Sequence, residues 1–85
     1  MLSLMCRYPL PVFARTVGKT IHDLRTERKM SQERLAEIID SHQVYISEIE
    51  RGLKIPSLPI LYNMAKAFGI TLTELVSKIE ESLEG

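Results

Sequence analysis

Two short apolar-periodic segments, residues 32–39 and 43–51, are separated by only three residues, Asp40-Ser41-His42, and no other feature limits the possible folds so tightly. Leu35, Ala36 and Ile39 mark the buried face of the first segment, and Ile46 with Ile49 that of the second, at the spacing of a helix. Ser31 is a good N-cap for the first, and Met30 with Leu35 is placed as a hydrophobic staple. Aspartate tolerates a left-handed backbone, so Asp40 can turn the chain, and Ser41 or His42 can cap the second helix. Gly52 then stops that helix. A break this short holds the second helix at a steep angle to the first and pushes one of its faces outward.

The flanking chain supplies the surfaces on which this pair packs. Val17, Ile21 and Leu24 recur at i, i+4 and i+7, with Lys19, Asp23 and Thr26 facing away, which predicts a first helix over residues 13–28. A fourth helix is expected to start in Pro56-Ser57-Leu58-Pro59, to turn Leu61, Met64, Ala65 and Phe68 inward, and to stop at Gly69. Thr71-Leu72-Thr73-Glu74 is a capping box with Ile70 and Leu75 as its staple, and opens a fifth helix running to about Leu83. Pro9 and Pro11 bias their neighbours toward extended backbone, so residues 1–12 are expected to form an arm before a domain over residues 13–85. Three fates fit that arm: loose, packed on a partner subunit, or preceding a true start at Met5. No segment alternates like a strand. The expected class is therefore all-α, with five helices.

At 85 residues the chain has room for one modest core, which packing against a second copy would help. With 45% apolar and 26% charged residues it has the composition of an ordinary globule. Its net charge is zero, yet residues 1–73 carry ten Lys or Arg against seven Asp or Glu, while the last twelve carry four Glu against Lys78. The basic excess belongs to the body and the acidic one to the tail. Cys6 has no second cysteine to pair with, Met1–Cys6 is too short for a signal sequence, and no apolar run reaches membrane-spanning length. A cytoplasmic protein is expected.

On a helical wheel of residues 43–51, Ile46 and Ile49 fall on one side. Gln43, Val44, Ser47, Glu48 and Arg51 fall within about 140° on the other. That outward set suits a DNA major groove. Glutamine pairs with adenine through two hydrogen bonds, valine meets a thymine methyl, and glutamate accepts from cytosine N4. Arg51 and Lys54 suit phosphates, as does Gln32 in the first turn of its helix, where backbone amides face outward.

The run Met30-Ser31-Gln32-Glu33, Leu35-Ala36-Glu37, Gln43, Tyr45-Ile46-Ser47, Ile49-Glu50-Arg51-Gly52, Pro56-Ser57 and Met64-Ala65-Lys66-Ala67-Phe68-Gly69 resembles the Cro/repressor (XRE) helix-turn-helix family, over about residues 16–76. The joint pattern is highly specific. The resemblance implies a lambda-repressor-like domain in which Gln32, Gln43, Val44, Ser47 and Glu48 meet DNA, and in which Arg25 pairs with Glu50 to orient the reading helix. The sequence departs from the family at Asp40, where glycine is usual, at Glu48, an acid among readers, and at Leu53, where lysine is usual. The last two weaken electrostatic affinity, so dimeric binding to two half-sites and a steep loss with salt are expected.

Tyr45 is read as packing, and Met64 with Phe68 as core. His22 and His42 sit on different helices without metal-ligand spacing and are read as surface or capping residues. No triad, carboxylate pair, phosphate loop or cofactor motif is visible, so neither an enzyme nor a small-molecule or cofactor binder is expected. Leu72, Leu75, Val76, Ile79 and Leu83 form a stripe longer than one small core needs. Ile79 and Leu83 are therefore assigned to a two-fold interface with another copy, or to contact with Leu10, Val12 and Phe13. The expected function is a transcriptional regulator that binds an inverted repeat of double-stranded DNA as a homodimer. The rival is a protein-interaction module or antitoxin-like partner that keeps the fold.

Overall fold

A computed structural model describes residues 9–84, in which five α-helices succeed one another: α1 Leu10–Glu27, α2 Gln32–Ile38, α3 Gln43–Glu50, α4 Leu58–Phe68 and α5 Leu72–Glu84. No strand occurs among the described residues. The first helix begins three residues before its expected start. Pro9 takes the N-cap with extended backbone and Pro11 lies in the first turn, where a fixed φ suits the helix and a missing amide has no intrahelical acceptor to lose. The prolines that argue for an arm thus open the helix. Residues 1–8, the remainder of that arm, lie outside the described residues.

The first four helices close in the same way. Lys29, Asp40, Gly52 and Gly69 adopt left-handed φ values of 54°, 57°, 77° and 76°. After each, an amide reaches back to a carbonyl of the last turn: Met30 to Arg25 at 3.1 Å, Ser41 to Ala36 at 2.8 Å, Leu53 to Glu48 at 2.9 Å and Ile70 to Ala65 at 3.0 Å. This six-residue closure satisfies carbonyls that a helix end leaves orphaned. At the starts, Ser31 Oγ accepts from the Arg34 amide at 3.0 Å and Ser57 Oγ from the Ile60 amide at 3.4 Å. Pro56 stands outside α4 and is buried. The Thr71 amide donates to Glu74 Oε1 at 2.9 Å while the Glu74 amide donates to Thr71 Oγ1 at 3.0 Å, completing the capping box. His42 holds the N-cap position of α3 without a side-chain cap bond.

Val17, Ile21, Leu35, Ile46, Ile49, Met64 and Leu75 form the fully buried centre. Helix α1 packs on both α3 and α5, α2 packs on α3, and α4 packs on α5. Ile79, assigned from sequence to a subunit interface, is only 5% exposed and belongs to the chain's own core, with Phe13 and Leu83 packed against that core. The packing of α1 against α5 within one chain thus covers Ile79. Val76, a member of the same stripe, is 42% exposed.

One close approach places α3. A Cβ built on Gly18 of α1 would stand 2.2 Å from the Ile49 carbonyl oxygen and 2.9 Å from that of Glu50. Only a residue without a side chain lets α1 touch the last turn of α3 at that point.

Candidate nucleic-acid interface

Helix α3 buries Ile46 and Ile49 completely, which fixes its rotation and leaves the opposite side outward. Val44 is 61% exposed, Arg51 is exposed, and Gln43, Ser47 and Glu48 are half-buried. The structure thus brings the four expected base readers onto one face of one short helix.

Glu50, at the end of α3, anchors that helix to α1. Its side chain is 6% exposed and that of Arg25 is 11% exposed. Arg25 Nε donates to Glu50 Oε2 at 2.7 Å and Nη2 to Oε1 at 2.9 Å, a two-pronged contact. The third arm of the guanidinium, Nη1, donates to the Met30 carbonyl oxygen at 2.8 Å, which ties the end of α1 into the same cluster. Burial pushes the Glu50 carboxyl up, but the hydrogen bonds from Arg25, Gln32 and His22 hold it below its ordinary value. The bond to Glu50 raises the Arg25 guanidinium further. Both shifts favour the charged forms of the pair.

The cluster extends to the reading face, which sequence reasoning missed. Gln32 Nε2 donates to Glu50 Oε1 at 3.0 Å, and Gln43 Nε2 donates to Gln32 Oε1. His22, read from sequence as a surface or capping residue, places Nδ1 3.1 Å from Glu50 Oε1. The available clue was positional: His22 lies three residues before Arg25 and so shares its helix face. Among side-chain nitrogen and oxygen atoms that are buried in the described residues, none lacks a hydrogen-bond partner.

The remaining polar residues of the face also pair with one another. Lys54 Nζ lies 3.2 Å from Glu48 Oε1 and 5.9 Å from the centre of the Tyr45 ring. Arg51 Nε donates to Ser47 Oγ at 3.2 Å. Lys54 and Arg51, assigned from sequence to phosphates, thus stand beside two of the assigned readers in the free chain.

A model of the helix-turn-helix family matches residues 21–75, which takes in α2, the turn and α3. The chain belongs to the Cro/repressor-type helix-turn-helix family. Family members similar to it include an HTH-type transcriptional regulator of Sinorhizobium fredii, 35% identical over 66 residues that cover 78% of this chain and 86% of the relative. The immunity repressor protein of Bacillus phage phi105 is 41% identical over 80% of this chain, which spans 46% of the repressor's length. Multiprotein-bridging factor 1 of Candida glabrata is 45% identical over 56 residues, 66% of this chain but 37% of the factor. Among solved structures, the restriction-modification controller C.AhdI of Aeromonas hydrophila superposes with a TM-score of 0.74 at 29% identity, covering 80% of this chain and 99% of the controller. The clp gene regulator ClgR of Corynebacterium glutamicum gives 0.81 at 25% identity, covering 89% and 81%. The five-helix arrangement is therefore that of helix-turn-helix transcriptional regulators. No helix of the described residues is long and apolar enough to cross a membrane.

Proposed function

We propose that this chain is a sequence-specific transcriptional repressor or autoregulator, cytoplasmic and without catalytic activity, that binds an inverted-repeat operator as a homodimer. The observation that carries the reading is the anchored face of α3. Gln43, Val44, Ser47 and Glu48 project from a helix whose far side is buried and whose end is clamped by Arg25 and Glu50. Gln43 pairs with adenine, Val44 meets a thymine methyl, and Ser47 and Glu48 read the neighbouring pairs. Gln32, Arg51 and Lys54 contact the DNA backbone. In this reading the domain comprises residues 13–85 and is preceded by residues 1–12, of which 10–12 form the opening of α1.

Dimerisation places two copies of α3 about 34 Å apart in successive major grooves. With Ile79 withdrawn into the core, Leu53, Ile55, Leu58 and Tyr62, all more than 40% exposed and close in sequence around the start of α4, offer apolar surface for a second copy. Sedimentation of Leu58→Glu tests it: a monomer where the parent chain dimerises places the interface here, and an unchanged dimer places it elsewhere.

The function is tested by fluorescence anisotropy against a random duplex pool at low and moderate salt, with sequencing of retained duplexes. An enriched inverted repeat with half-sites about one turn apart, and Gln43→Ala relaxing one base position, is the expected result. A second reading, a protein-interaction module, is favoured by the Glu48–Lys54 pair, which cancels a cation on the reading face, and by similarity to a bridging factor. It predicts no retained duplex at any salt.

A further inference from the structure

Glu50 Oε1 is the crowded atom of the interface. Three nitrogens converge on it: Arg25 Nη2 at 2.9 Å, Gln32 Nε2 at 3.0 Å and His22 Nδ1 at 3.1 Å. The same His22 Nδ1 lies 3.3 Å from Arg25 Nη2. A guanidinium only donates and an ionised carboxylate only accepts. A bare Nδ1 therefore satisfies Arg25 but turns its lone pair on Glu50, whereas a protonated Nδ1 satisfies Glu50 but faces a hydrogen of Arg25. No single protonation state suits both neighbours, and His22 is 51% exposed at its side chain, so solvent reaches it while Arg25 and Glu50 are enclosed.

The carboxylate also dictates the order of the two amides. Because Glu50 is acceptor-only, Gln32 must turn its NH2 toward it and its oxygen toward Gln43. Gln43 must then give one N–H to Gln32, which leaves its own oxygen and its second N–H for a base edge. That is the donor and acceptor pair that adenine complements.

We propose that His22 is a positioning residue for the reading glutamine: its protonation turns the imidazole into a charged donor to Glu50 Oε1, loosens the hold of that oxygen on Gln32, and so frees the Gln32–Gln43 pair. The consequence for base choice rests on the reading of Gln43 given above; the coupling within the protein does not. Imidazole is the side chain that changes charge between about pH 5 and 8. The charged groups facing His22 are Arg25 on its own helix and Glu50 on α3; Glu33 of α2 interacts with Arg25. His42 immediately precedes Gln43 and carries the same kind of side chain, so it is the necessary control.

The test is a side-chain amide NMR titration of the full chain from pH 5 to 8 in the parent protein, His22→Asn and His42→Asn, followed by duplex selection at both ends of that range. The expected result is that the Gln32 and Gln43 NH2 signals move together with the His22 ring signals. In His22→Asn the Gln32 signals stay still, and in His42→Asn they still move. At the base position that Gln43→Ala relaxes, discrimination falls by roughly threefold to tenfold in acid in the parent chain, the worth of one hydrogen bond, and not in His22→Asn. Gln32 signals that are flat in the parent chain, or that move equally in His22→Asn, overturn the proposal. Moving signals with no retained duplex uphold the coupling and overturn the operator reading instead.

Discussion

Replacing Gly18 by alanine sets two known effects against each other. Alanine inside a helix is favoured over glycine by about 0.8–1 kcal/mol. Its Cβ, however, would sit 2.2 Å from the Ile49 carbonyl oxygen and 2.9 Å from that of Glu50, the first about 1 Å short of the 3.3–3.6 Å at which carbon and carbonyl oxygen meet comfortably. Forcing extra volume into a packed site typically costs about 1–3 kcal/mol. The upper part of that range applies, because the obstacle is backbone at a helix end and no rotamer change relieves it. Net destabilisation of roughly 1–2 kcal/mol results, which in a domain of this size lowers Tm by roughly 5–15 °C. Thermal unfolding monitored by circular dichroism reads it directly. The displaced α1 should also strain the Arg25–Glu50 contact and weaken DNA binding. A Tm equal to or above that of the parent chain would show that α1 and α3 do not approach as closely as the structure has them.

Arg25→Leu should cost about 3–5 kcal/mol in urea denaturation, because Glu50 stays enclosed without its cation; adding Glu50→Leu should recover much of that, and a double variant as unstable as the single would overturn the account. Asp40→Gly should raise stability by about 0.5–1 kcal/mol, since glycine holds φ near +57° without the Cβ penalty; a lower urea midpoint would show that the aspartate does something else at the turn. Glu50 titrates below its ordinary value of 4.5 in the fold, so its stabilisation is complete above that value and is lost as pH falls through the depressed folded one. The urea midpoint should therefore drop from pH 5 to pH 3 more steeply in the parent chain than in Glu50→Gln, and parallel curves would count against it.

Much of this is legible in the residues because the determinants are local. Ser31, the Thr71 and Glu74 box, and Ile46 with Ile49 act within one turn of helix, and each does in the structure what its spacing predicts. Asp40 adopts the left-handed backbone that aspartate tolerates. Lys29 adopts the same conformation with no sequence signal, because lysine has no preference for it and the closure onto Arg25 imposes it. Sequence misplaces the start of α1 because proline breaks a helix interior yet suits its first turn, and the residues alone do not say which position it holds. Of the two alternatives for Ile79, a second copy or the apolar residues near Phe13, spacing alone does not choose, because either would bury the same stripe. The Gln32 bonds to Glu50 and Gln43 join residues 18 and 11 apart, and the Gly18 approach joins residues 31 and 32 apart. Periodicity carries no information about such pairs.

The free reading face is already internally paired, with Gln43 held by Gln32, Ser47 by Arg51 and Glu48 by Lys54. Apart from the free oxygen and second N–H of Gln43, meeting DNA is therefore an exchange of partners rather than a gain of them. At a matching sequence each bond given up is replaced by one of similar worth, so affinity rises little above the non-specific background set by phosphate contacts. At a mismatched sequence the internal bond is broken or kept facing a base that offers nothing, and the unmatched groups carry a desolvation cost. A face arranged this way gains its selectivity chiefly by rejecting wrong sites, which is the more useful property for a regulator that must ignore almost all of a genome.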